Sequence, residues 1–202
     1  MTTFLLIRHA LHEFGGHRIA GRTPDVHLSP DGLRQATSLA DRLKKVKIDA
    51  IYASPITRCQ ETAGLIATHH DLEIEISEVI TELDFGDWQG ETIADLDEQD
   101  HWRRFNAFRS GTRAPNGELF LGTQLRVVRF LLDLRDRHPN QTVAVVSHAD
   151  VIRAALLHFL GMPMDHFLRL EISPASVTTV AIAPYGPWIL GVNHTGNAPT
   201  LP

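Results

Sequence analysis

Short apolar runs alternate along this chain with longer segments whose apolar residues recur every three or four positions. "TFLLI" (Thr3 to Ile7), "IDAIYAS" ending at Ser54 and "TVAVVS" ending at Ser147 read as strands covered on both faces. "SVTTVAIA" alternates instead, and "WILGVN" follows it across the turn signal "PYGP", so the two are expected to pair as an edge hairpin. Helical spacing joins Leu33, Ala36, Leu39, Ala40 and Leu43, then Ile56, Cys59, Ala63 and Ile66. A further helix is expected over about 122–137 with Leu125, Val128, Leu132 and Leu134 inward, and another through Val151, Ile152, Ala155 and Phe159. Ser29-Pro30 and Ser54-Pro55 each place a capping hydroxyl before a proline suited to a first helical turn. Asp150 is expected to cap the last helix, which Gly161 and Pro163 end. Strand and helix patterns in alternation predict an α/β fold with a largely parallel sheet.

The stretch from Glu82 to Asn116 breaks this rhythm. "FGDWQG" reads as a loop and "IADLDEQDHWRRFNAFRSG" as one polar, irregular helix, so residues 82–120 are expected to form a lid-like insertion in a single domain spanning 1–202. Trp88, Trp102 and Phe105 there would line a substrate mouth or pack the lid onto the body. The polar, Gly/Pro-containing end, about 194–202, is expected to fray.

Composition narrows the function classes. A chain of 202 residues that is 43% hydrophobic can bury one sizeable core. Its 24 acidic against 19 basic residues, a net charge of −5, offer no broad basic surface for nucleic acid. No apolar run approaches the roughly 20 residues of a membrane helix. One cysteine, Cys59, makes no internal disulfide, and no signal-like segment opens the chain, so a cytoplasmic setting is expected. No HExxH, paired CxxC or Asp-rich cluster is present, and neither metal nor cofactor is expected. An exposed edge strand near Val177 would permit a homodimer by strand pairing.

The chemistry lies in the residues after the strands. Arg8 and His9 follow the first, Ser54 and Arg58 the second, Ser147 and His148 the third. C-terminal ends of parallel strands share one edge, where open α/β folds bind ligands. Two arginine forks, two histidines and two helix N-termini converging there suit a phosphoryl dianion. A neutral imidazole is a competent nucleophile, and a carboxylic acid held protonated can supply the leaving oxygen's proton. His9 fits the first role and Glu82 the second. The same dipeptide at Arg137-His138 is a control: there it ends an amphipathic helix, where basic residues complement the dipole.

"LIRHA", "GRTPDVHLSPDGLRQA", "IYASPITRCQETA", "ITELDFGDWQG" and "VAVVSHADVIRAAL", in this order, resemble the histidine phosphatase superfamily, the phosphoglycerate-mutase-like phosphatases. The resemblance covers roughly Phe4 to Ala183 and is closest to the small phosphatase branch that includes α-ribazole phosphatase and broad-specificity phosphatases. It implies a three-layer αβα sandwich with a mixed, mostly parallel central sheet. It also implies a metal-independent phosphomonoesterase acting on a small phosphorylated metabolite through a phosphohistidine. His9 would be the nucleophile, Arg8, Arg58 and His148 would hold the phosphoryl oxygens, and Glu82 would donate the proton. Ala149, Arg22 and His12 would contact substrate. A phosphoglycerate-mutase-type phosphomutase and a non-catalytic phospho-ligand module are the alternatives. Ala10, Leu11 and His12 stand where the family usually has Gly, an acidic or amide residue, and Thr or Ser. Gly117-Glu118-Leu119 stands in place of its "GES" segment.

Overall fold

A computed structural model of the chain describes residues 1–196. Six strands form one sheet: β1 (Thr2–Arg8), β2 (Ala50–Ala53), β3 (Ile74–Ile76), β4 (Thr142–Ser147), β5 (Val177–Ala183) and β6 (Gly186–His194). They lie in the order β3-β2-β4-β1-β5-β6. β3, β2, β4 and β1 run parallel, β5 is antiparallel to β1, and β6 closes the edge antiparallel to β5. The sheet is therefore mixed and mostly parallel, as expected.

Six helices accompany it: α1 (Pro30–Leu43), α2 (Thr57–Ala67), α3 (Ile93–Asp97), α4 (Asp100–Ala107), α5 (Phe120–Arg137) and α6 (Ala149–Phe159). Side-chain alternation along β1 assigns them to layers. Leu5 and Ile7 pack with Leu39, Leu43, Ala63 and Ile66 of α1 and α2. Phe4 and Leu6 share the opposite core with Leu131, Leu134, Ile152 and Leu156 of α5 and α6. The result is a helix–sheet–helix sandwich.

The capping expectation holds at α1, where Ser29 Oγ accepts the Gly32 N–H at 3.0 Å. It fails at α2, whose N-cap is Ile56; the Ser54 hydroxyl accepts the Ile56 N–H across a turn and faces the strand ends instead. α6 has His148 at its N-cap, and Asp150 sits inside the first turn with its carboxylate turned to arginines. Two inward assignments also fail. Leu125 is 59% exposed, because α5 buries Phe120, Thr123, Val127, Val128, Leu131 and Leu134. Its apolar residues spread over more than half of the circumference, so periodicity alone does not select which part of that arc is buried. Leu33 is exposed in the first turn of α1.

Residues 82–120 hold two short helices, α3 and α4, and a 3₁₀ turn at Gly86–Trp88 in place of one long helix. Thr92 caps α3 through the Asp95 N–H, and α4 starts anew at Asp100. Trp88, Trp102 and Phe105 are buried against one another and belong to the core that contains Phe4 and Leu6. Gly86 has φ +51°, and a Cβ there would meet Pro115 O at 1.9 Å, so this loop crosses at a glycine that only glycine can serve. The strand near Val177 is not an exposed edge: β5 is paired on both sides and Val177 is fully buried, so β6 carries the open edge. His194 ends β6, and the rest of the expected frayed end, from 197 on, lies outside the described residues. Among the described residues no helix is long and apolar enough to cross a membrane.

Candidate active site

β1, β2 and β4 end side by side, and their C-terminal residues bring Arg8, His9, Ser54 and His148 to one edge. The first turn of α2 adds Arg58, and the turn after Ile80 adds Glu82. A pocket of about 290 Å³ opens over this edge, with Arg8, His9, His12, Arg58, Glu82 and Ala149 among its lining residues. Buried strands fix where the chain leaves the sheet, so residues far apart in sequence meet within a few ångströms.

His9 is 3% exposed. Its Nδ1 lies 2.8 Å from Ala10 O, a contact that requires Nδ1–H to donate. Nε2 therefore carries the lone pair, which accepts Arg58 Nε–H at 3.2 Å. Burial and the charges of Arg58 and Arg8 push the imidazole well below its ordinary pKa, keeping it neutral. His148, fully buried, lies across from it with ring centroids 5.2 Å apart. Arg58 Nη2 approaches His148 Nδ1 at 3.3 Å, so Nε2–H of His148 is left to meet Ser54 Oγ at 2.8 Å. Burial and Arg58 depress this imidazole too.

The two guanidiniums are anchored by backbone carbonyls and keep further donors. Arg58 Nη2 donates to Gly21 O at 2.7 Å, and Arg8 Nη1 to Ile172 O at 2.6 Å. Arg58 Nη1 and Arg8 Nε make no hydrogen bond among the described residues. Glu82 Oε2 lies 3.9 Å from His148 Nδ1, and Oε1 accepts the Leu83 N–H at 2.9 Å. Burial, followed by the charge of Asp150, raises the Glu82 pKa to about 7. At that value its contact with neutral His148 is not an ion pair. One carboxyl group at the pocket thus holds a proton near neutrality beside an imidazole that does not.

His12 lines the pocket, its ring 5.5 Å from that of His9, and burial lowers its pKa to about 4. Ala149 lines it at the start of α6. Arg22 does not line it: Nε donates to Glu82 O, and Nη2 pairs with Glu118 at 3.0 Å. Glu118 also accepts from Arg126 of α5, so this network braces the backbone that carries Glu82. Ala10 is fully buried, and its N–H donates to Thr62 Oγ at 3.1 Å. Cys59 is buried beside His148, and its thiol pKa is pushed up to about 12, away from reactivity.

Arg109, Arg153 and Phe167 also line the pocket and were not anticipated. For Arg153 a signal existed, since Asp150 and Arg153 stand at i and i+3 on one helix and bond at 3.1 Å. Arg109 lies in an irregular segment where no periodicity says which way it turns.

Residues 4–195 match the histidine phosphatase superfamily (branch 1). Phosphoserine phosphatase 1 of Hydrogenobacter thermophilus is 32% identical over 96% of this chain and 93% of its own. The adenosylcobalamin/alpha-ribazole phosphatase of Escherichia coli is 29% identical over 88% of each. A crystal structure of a mutant phosphoserine phosphatase from Entamoeba histolytica in complex with phosphoserine superposes with a TM-score of 0.88, at 29% identity, over 96% of this chain and 98% of that one. With buried histidines and arginines gathered at the strand ends beside a carboxyl group of raised pKa, and with these likenesses over nearly its whole length, the chain belongs to the histidine phosphatase superfamily and is a phosphatase.

Proposed function

We propose that the protein is a metal-independent phosphomonoesterase for a small phosphorylated metabolite and works through a phosphohistidine at His9. The observation that carries this is the opposed protonation of two pocket residues: His9 is neutral with its lone pair on Nε2, while Glu82 holds a proton to about pH 7. On substrate arrival the phosphoryl oxygens take over the N–H groups of Arg58 and Arg8, and the Nε2 lone pair is released from Arg58. Nε2 forms the bond to phosphorus as the P–O ester bond breaks, and Glu82 gives its proton to the departing alkoxide. The Glu82 carboxylate then takes a proton from water, whose oxygen attacks the phosphohistidine; inorganic phosphate leaves and His9 is restored. Arg8 and Arg58 stabilise the equatorial oxygens, the preorganised charge that dominates phosphoryl transfer. His148, which accepts from Arg58 through Nδ1 and donates to Ser54 through Nε2–H, orients the Arg58 guanidinium for that task. His12 and Ala149 contact the substrate, and residues 82–120 act as a lid whose Phe85, Trp102 and Asn106 wall the pocket. The single cysteine, buried and unreactive, suits a reducing cytoplasm.

The test is hydrolysis of p-nitrophenyl phosphate in excess EDTA by wild type and His9→Ala. Turnover that survives chelation and is lost in the variant supports the proposal, as does an acid-labile phosphoryl label on quenched wild type that His9→Ala lacks. Equal turnover by a folded His9→Ala overturns it.

A further inference from the structure

The pocket that His9 lines is also lined by Arg109, in the loop after α4. This side chain is 3% exposed. Its guanidinium lies between Phe105 and Phe167, with Cζ 3.9 and 3.8 Å from the ring centroids. Stacking on both faces leaves only in-plane N–H groups to receive a partner. Nη2 is 3.4 Å from Asp150 Oδ2 and 3.4 Å from Asn106 Oδ1, both at the long end of hydrogen bonding. Nε and Nη1 have no partner among the described residues.

Charge is also left over. The other oxygen of Asp150 accepts Arg153 Nη1 at 3.1 Å, so two arginines share one carboxylate. Glu171, 3.9 Å from Arg153, is 71% exposed and screened by water. Burial lowers the Arg109 pKa only to about 10, so the group stays cationic at neutral pH. A buried cation with unfilled donors is costly unless something pairs with it. Arg109 touches neither His9 nor Glu82, and the phosphatase chemistry gives it no task.

We infer that Arg109 is a specificity-determining residue that receives a carboxylate on the leaving group, so that the substrates are phosphomonoesters of small hydroxy- or amino-carboxylic acids. This rests on the reading of Arg8, His9 and Arg58 as the phosphoryl site. A monoanion matches the single unbalanced charge, whereas a second phosphoryl dianion would exceed it. The planar N–H edge of a guanidinium fits the two oxygens of a carboxylate. A neutral sugar or alkyl group would leave the buried donors unpaired. About 290 Å³ holds a phosphoryl group, a short carbon chain against Ile93 and Trp102, and a carboxylate.

Two substrate pairs isolate the carboxylate: O-phosphoserine against O-phosphoethanolamine, and 3-phosphoglycerate against 2-hydroxyethyl phosphate. In wild type the kcat/KM ratio within each pair is expected to favour the carboxylate on the order of 10²-fold. Arg109→Met is expected to bring both ratios below about tenfold, and Arg109→Lys, which keeps charge without the fork, to give intermediate values. Ratios near one in wild type, or ratios unchanged in folded Arg109→Met, overturn the inference while p-nitrophenyl phosphate hydrolysis leaves the phosphatase reading standing. If Arg109→Met does not fold, the wild-type and Arg109→Lys ratios decide. If wild type hydrolyses no compound, the phosphatase reading fails, and calorimetric binding of the same four compounds decides the carboxylate: tighter binding of both acids supports it and equal binding overturns it.

Discussion

His9 and Glu82 are displaced in opposite directions by the same burial, because desolvation disfavours whichever form is charged. That is why a neutral base and a neutral acid coexist in one pocket. Replacing Glu82 with Gln is expected to lower turnover of alkyl phosphates on the order of 10²–10⁴-fold. With p-nitrophenyl phosphate, whose leaving group needs no proton, the variant should still release one equivalent of p-nitrophenol rapidly and then stall, because no carboxylate activates water. Burst kinetics check this, and a normal steady state would remove Glu82 from the hydrolysis step, while unchanged turnover of alkyl phosphates would remove it from proton donation. In wild type, kcat/KM on alkyl phosphates should decline above about pH 7 as Glu82 ionises, with the acid limb below the ordinary histidine value of 6.5. At this scale Arg8 and His9 were legible because they follow an apolar strand. Ser54 was misread, because a serine before proline has the same signature whether it caps a helix or faces a histidine.

The loop from Ala10 to Glu13 is held against the start of α1, and one glycine decides how closely. A Cβ on Gly32 would lie 1.8 Å from Leu11 O, a backbone atom that cannot rotate away. Gly32→Ala is expected to destabilise the protein by about 3 kcal/mol and, by moving the chain two residues from His9, to lower p-nitrophenyl phosphate turnover as well. Gly64→Ala is the contrast: its Cβ meets nothing within 4 Å inside α2, so stability should rise by up to about 1 kcal/mol. Urea midpoints of the two variants check both directions, and equal midpoints would refute the steric account. Three parallel strands and the β5–β6 hairpin were readable because an apolar run bounded by turns has few alternatives. β3, with three residues, is too short to show a period, and β5 lies inside the sheet because its partner β1 comes from the other end of the chain.

Across the whole molecule, buried titrating groups make stability depend on pH. His9 and His148 are held well below 6.5 and His12 at about 4, so as pH falls below 6.5 the unfolded chain binds protons that the native chain refuses, and stability is lost. Glu82 acts oppositely: the native state keeps its proton up to about 7 while the unfolded chain loses it near 4.5, so its contribution diminishes as pH rises through that window. Three histidines outweigh one carboxyl, and the urea midpoint is expected to be lower at pH 5 than at pH 7; a flat or reversed dependence would show that the histidines are not held neutral. The alternation of apolar periods determined the α/β class and the parallel strands, and the order of its motifs determined the family, since both are written locally along the chain. The face that α5 buries, the division of residues 83–120 between core and pocket wall, and the place of Arg109 between Phe105 and Phe167 were decided only by tertiary packing. Each depends on which distant side chains arrive to exclude water, and no local period encodes that.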